Sequence, residues 1–250
     1  LSLQSKKDKF WWNVRAAHFQ QNHLYTNYST STKDYLIYAL TKQQSSFVNA
    51  SLGKQFGKHW KVQQELRSQF VEAENDNYQQ GKVSEQRYVF INFIEYQKKN
   101  IKLYFGQRAQ ALGTSSLNYV PQIKLQRFIG KGHEALSLQV SKQFRNPDFN
   151  EKYWQPGGKP NLLNEEGWSQ TFSVKSIRTF KALTIAATAE VFHYVVNNWI
   201  QWMPNAMGLW EPQSFKQVET FGSSVQLRPK VLLPNKKTSI ETLLIMNYNK

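Results

Sequence analysis

Glu190 and His193 form a Glu-x-x-His step inside the least polar stretch of the chain, "FKALTIAATAEVFHYVVNNWIQWM", Phe180 to Met203. On an α-helix residues three apart share a face, so a carboxylate and an imidazole would meet there. Carboxylate-bridged metal centres in four-helix bundles use two such pairs. A second pair is missing from this sequence, so the expected state is a Glu and a His bonded to each other or to nearby backbone, with no metal. "GKGHEAL", Gly130 to Leu136, offers two other chemistries and satisfies neither. A P-loop requires G-x-x-x-x-G-K-[ST], and a His-Glu-x-x-His zinc site would need histidine where Ser137 stands. A tight turn remains, whose Lys131 ammonium and backbone amides could approach a phosphate.

The 250 residues include no cysteine, which excludes thiol nucleophiles, cysteine-ligated zinc and disulfides. That absence favours the cytoplasm or another reducing compartment. No Gly-x-Ser-x-Gly elbow is present, and His18, His23 and His59 have no spacing that joins them to a nucleophile. The expectation is a non-catalytic protein without a cofactor.

Charge is more informative. Lys plus Arg number 32 against 17 Asp plus Glu, a net charge of +15 with pI near 9.8. The cations recur beside aromatic residues: Lys54, Lys58 and Lys61 with Phe56 and Trp60; Lys98, Lys99 and Lys102 with Tyr96 and Tyr104; Lys124, Arg127 and Lys131 with Phe128. Cations neutralise phosphate and exposed aromatic rings stack on unpaired bases. These nine residues are therefore the candidate contacts to RNA or single-stranded DNA. The function this implies is a basic, nucleic-acid-binding subunit of a larger nucleoprotein assembly, with nucleic acid and other protein subunits as partners.

The elements that must position these groups divide at about residue 112. In 1–112, Phe10, Val14 and Ala17, then Val62, Leu66 and Phe70, then Phe90, Ile94, Ile101 and Phe105 recur at helical spacing. In 113–250, alternation at Val120, Ile123 and Leu125 and at Leu136, Leu138 and Val140 flanks the Gly130–Gly132 turn and predicts a hairpin. A Pro- and Gly-rich loop fills 145–170, "TFSVKSI" is a strand, and "SSVQLRPKVLL" and "SIETLLIM" are two more. The expected fold is α+β: a helical N-terminal half, and a C-terminal antiparallel sheet packed on one long helix near 179–203.

That helix has a second reading. Lys175, Arg178 and Lys181 precede it and Trp199, Trp202 and Trp210 follow, the flanks of a membrane span. Glu190, His193 and the amides inside it disfavour a helix crossing lipid. The alternative function is thus a structural subunit of a membrane-associated complex, with 180–203 embedded in or packed on the bilayer.

Overall fold

The computed structural model describes residues 1–29, 34–113, 117–130, 133–233 and 238–250, with the backbone alone at 27–29 and 34–37. The chain is a sequential antiparallel meander. Its strands are β1 (Ser2–Lys7), β2 (Phe10–Ser29), β3 (Asp34–Phe56), β4 (Trp60–Glu74), β5 (Lys82–Lys98), β6 (Ile101–Leu112) and β7 (Asn118–Ile129). They continue as β8 (Glu134–Arg145), β9 (Glu165–Phe180), β10 (Leu183–Pro204), β11 (Trp210–Leu232), β12 (Ser239–Glu241) and β13 (Leu244–Asn249). One helix of 5 residues, α1 (Phe149–Tyr153), lies between β8 and β9. All 13 strands form one sheet in chain order from β1 to β12, with β13 beside β11. The sheet runs on past position 112 through the pairing of β6 with β7.

Up-and-down order gives the sheet two rims. One carries tight turns at 8–9, 57–59, 99–100 and 181–182, each with a residue at positive φ: Asp8 49°, Gly57 57°, Lys99 51° and Lys181 51°. Left-handed backbone at the turn matches the twist of paired strands, which is why short hairpins select it. The other rim carries the longer connections 75–81, 146–164 and 205–209.

Register then sorts the side chains. Phe56, Trp60, Tyr96, Leu103, Leu125, Leu138, Phe172 and Val191 are linked by direct cross-strand pairing and so share one face. Trp60 opens β4, whereas Phe172 stands well inside β9, so the strands are staggered as in a tilted, curling sheet. Every large apolar side chain exposed on β3–β9, among the described residues, lies on this face; Val48, Leu66, Phe90, Ile123 and Val174 are further examples. The opposite face carries Asn49, Gln63, Glu65, Arg67, Glu95, Arg108, Gln139, Ser141 and Ser169. From Trp60 to Phe70, a strand rising about 3.3 Å per residue and tilted about 40° climbs roughly 25 Å. Over that height the exposed large apolar side chains of β3–β9 stand on one side, and the other side is mainly polar apart from Val89, Ile91 and Phe93 of β5.

The expected helical N-terminal half and the long helix near 179–203 are both absent, and the α+β assignment is corrected to an all-antiparallel β fold. The physical reason is parity. Val62, Leu66 and Phe70 stand four apart, an even number, so they share a face of a strand as readily as of a helix. β10 is apolar on both faces over much of its length, with Ala187, Ala189 and Val191 on one and Ala186, Phe192 and Val196 on the other. That erases the alternation that would have marked it as a strand. The strands flanking 130–133, the strand through Phe172 and the two final segments do form, as β7–β8, β9, and β11 to β13.

Candidate functional site at the long-loop rim

The most built feature outside the sheet is the connection 146–164, which folds back over the polar face. Asp148 caps α1 by accepting from the Glu151 N–H (2.8 Å), while the Glu151 carboxylate accepts from the Asp148 N–H (2.8 Å). Phe149, Tyr153 and Trp154 pack on a buried cluster of Ala73, Tyr78 and Val83 at the tops of β4 and β5. The Tyr78 hydroxyl donates to Asn150 Oδ1 at 2.6 Å, and the Gln155 N–H donates to the Asn77 carbonyl at 2.6 Å. The loop thus crosses from β8 over β6 and β7 to the 75–81 connection.

Arg145 fixes its root. Nη1 and Nη2 donate to the Glu151 carboxylate at 2.9 and 3.0 Å, and Nε and Nη2 donate to Glu165 at 2.8 and 2.6 Å. The planar guanidinium is the side chain that can grip two carboxylates bidentately at once. Glu151 and Glu165 are only 5% and 8% exposed, so each depends on that fork for its charge. Glu165 Oε1 also accepts from the Ile200 N–H at 2.8 Å, tying β9 to β10 at the same point.

Burial, and secondarily the Asp148 carboxylate, push the Tyr78 phenol up to about 12 from its ordinary 10.0. A phenol whose folded value lies above its unfolded one contributes stability that is complete below pH 10 and lost as the pH climbs through 12. The difference in tyrosinate absorbance between wild type and Tyr78→Phe is therefore expected to titrate near 12.

Beside this loop lies a cavity of about 680 Å³ lined by His23, Tyr25, Thr41, Asp148, Asn150, Trp154, Trp202 and Trp210 among others. Its walls come from β2, β3, the loop, β10 and β11, so the sheet curls far enough for both ends of the strand order to face one space. Lys159 pairs with Glu211 at 3.0 Å, and the loop approaches β11 so closely at Gly157 that a Cβ there would strike the Trp210 carbonyl. Three indoles and a phenol around amide, hydroxyl, carboxylate and imidazole groups suit a large ligand with flat unsaturated parts and polar edges.

The cations named from sequence lie elsewhere, near the short-turn rim, and the sheet distributes them. Lys54, Lys98 and Arg127 project on the apolar face, Lys61, Lys102 and Lys124 on the polar face, and Lys58 and Lys99 stand in turns. Lys58, Lys61 and Lys99 share a cleft of about 370 Å³ with His59 and Trp60. Lys54 stands over Phe56, while Lys102 stands over Tyr104 and pairs with Glu95 at 3.1 Å. Lys131 and Gly132 lie outside the described residues. Glu190 and His193, three apart on a strand, point to opposite faces; His193 meets Gln170 (2.9 Å) and Glu219 (2.6 Å) instead. No group of metal-holding side chains is found among the described residues. Arg145, Glu151, Glu165 and Trp154 were missed because only the return of the loop unites them; the Pro- and Gly-rich composition of 145–170 was their one sequence signal.

No helix among the described residues is long and apolar enough to cross a membrane, a criterion silent on strands. No protein-family model matches the sequence, and no curated protein matches it. Solved structures do. The chain is similar to the siderophore receptor PirA of Pseudomonas aeruginosa (12% identity, TM-score 0.65, 96% of this chain and 50% of that one). It is similar to the copper transporter OprC (12%, 0.68, 100% and 45%). A third likeness is to the Serratia marcescens hemophore receptor HasR, solved with its hemophore HasA and heme (11%, 0.65, 89% and 47%). This chain spans about half the length of each. The nucleic-acid-binding subunit expected from charge, with its ribonucleoprotein setting, is overturned by these neighbours, as is the cytoplasmic location. In its antiparallel sheet the chain resembles outer-membrane β-barrel receptors.

Proposed function

We propose that this chain is a stretch of the wall of a membrane-spanning β-barrel receptor, and that the loop-rim cavity is where a metal complex is received. The sequence reading that placed 180–203 at the bilayer is nearer to this than its rival, although the segment crosses as a strand. One observation carries the proposal: the exposed large apolar side chains of β3–β9 share one face, over a height matching the apolar band of such barrels, about 25 Å. Water does not favour so continuous an apolar surface, whereas lipid does. Aromatic residues mark both borders, Trp60 and Tyr96 at one and Phe70, Tyr88, Tyr119 and Trp168 at the other.

Lipid also forbids unpaired strand edges. Among the described residues β1 and Leu1 cover β2 only as far as Ala16, and β12 and β13 leave β11 uncovered before Gly222 apart from the Phe221 pairing with Lys250. Further wall strands belong at those edges, in keeping with the length of the receptors it resembles. Lys54, Lys98 and Arg127, on the apolar face near the short-turn rim, are then placed to meet headgroup phosphates, their stems lying along the apolar band.

The test is binding of ferric siderophores, haem and copper(II) to the protein in isolated membranes. One of these ligands is expected to bind, and Trp154→Ala to weaken it about tenfold or more, as loss of a central aromatic anchor does. Binding of none, or binding indifferent to Trp154, would reject the cavity as the receiving site.

A further inference from the structure

On β4, β5 and β6 the apolar band is interrupted near mid-height by polar side chains, whereas Gln170 and His193, also on this face, bond each other at 2.9 Å. Gln64 pairs with Asn92 and Asn92 with Gln107, so three amides stand side by side on the outward face of β4, β5 and β6. On β5, Asn92 lies midway between the border residues Tyr96 and Tyr88. On β7, β8 and β9 the corresponding heights carry Leu125, Leu138 and Val174. Among the described residues none of the three amide side chains has a hydrogen-bond partner. Each offers two donors and an acceptor oxygen, and acyl chains can satisfy none of them.

We infer that this amide row is the contact through which two copies of the protein associate side by side within the bilayer. The inference rests on the membrane-wall reading. A second copy is the occupant that the chemistry selects. An amide is both donor and acceptor, so the same row turned about a twofold axis is complementary to itself, as a closed dimer interface must be. The row is uncharged and offers an ionic partner nothing. Small neighbours allow close approach: Ala109 stands beyond Gln107, and Ala50 lies on the same face of β3. Small residues with polar amides are the combination that holds membrane segments together.

The sequence has no cysteine, so single thiols can be placed cleanly. In isolated membranes treated with copper phenanthroline, Asn92→Cys is expected to give a disulfide-linked species of twice the mass. Leu138→Cys, on the same face but away from the row, is expected to give none. The triple variant Gln64→Leu, Asn92→Leu and Gln107→Leu, which lipid accommodates, is expected to lower the dimer fraction about tenfold or more on a native gel. Three results overturn the pairing: no dimer from Asn92→Cys while both thiols stay shielded from a water-soluble maleimide, an adduct with a different protein, or a triple variant that stays dimeric. Rapid maleimide labelling of both thiols marks failure of the membrane-wall reading itself, and the pairing falls with it.

Discussion

Phe172→Arg is expected to abolish stable assembly in the membrane, while Thr171→Arg, one residue earlier, is expected to leave it intact. Phe172 is 44% exposed on the outward face, paired with Leu138 and Val191. A guanidinium at that depth costs about 2–4 kcal/mol on the lipid side of a barrel. Set against a total stability of about 5–15 kcal/mol, that is a large fraction. Thr171 faces the other way, into a cavity of about 560 Å³ lined also by Gln139, Ser141 and Ser169. There an arginine finds water and polar partners. Heat-modifiable migration on a gel, with recovery in the membrane fraction, reads both variants. Equal loss or equal tolerance would be inconsistent with a wall that has a lipid side.

The second large effect belongs to Arg145. Its removal leaves Glu151 and Glu165 buried without their cation, a change that costs about 3–5 kcal/mol when a pair is fully enclosed. Because the Arg145 side chain is 41% exposed, the lower end of that range applies, about 3 kcal/mol. Much of this cost falls on closure of the loop, since Glu151 belongs to the loop and Glu165 to its exit. Opening by about 3 kcal/mol corresponds to roughly a hundredfold larger open population. Tryptic cleavage at Lys152, now held 3.7 Å from Glu85, is expected to accelerate by that order in Arg145→Ala. Arg145→Lys keeps the charge but loses the double fork, and should fall between. Unchanged cleavage in Arg145→Ala would mean that the aromatic cluster alone holds the loop.

Why the sequence pointed elsewhere follows from particular residues. Spacings of four, as in Val62, Leu66, Phe70 and again in Phe90, Ile94, satisfy periods of 3.6 and 2 together, so one strand face imitates one helix face. Amides at Gln64 and Asn92 interrupted the alternation that would have decided between them. The hairpin across 130–133 was legible because Gly130 punctuates two clean alternating runs. Basic charge was legible as a quantity, but its distribution was not. Lys54 and Lys61 are close in sequence and stand on opposite faces, and Lys102 has an acidic partner in Glu95 that only strand register supplies. The loop-rim cavity draws on His23, Trp154 and Trp210, which no local pattern connects.

A cysteine scan across Ser169–Lys175 of β9, in intact membranes, tests the two-sided wall most directly. The account predicts alternation with period two: thiols at 169, 171, 173 and 175 label with a water-soluble maleimide, and those at 170, 172 and 174 are shielded, most strongly at 172 and 174. Uniform labelling along the strand would show water on both faces and contradict it.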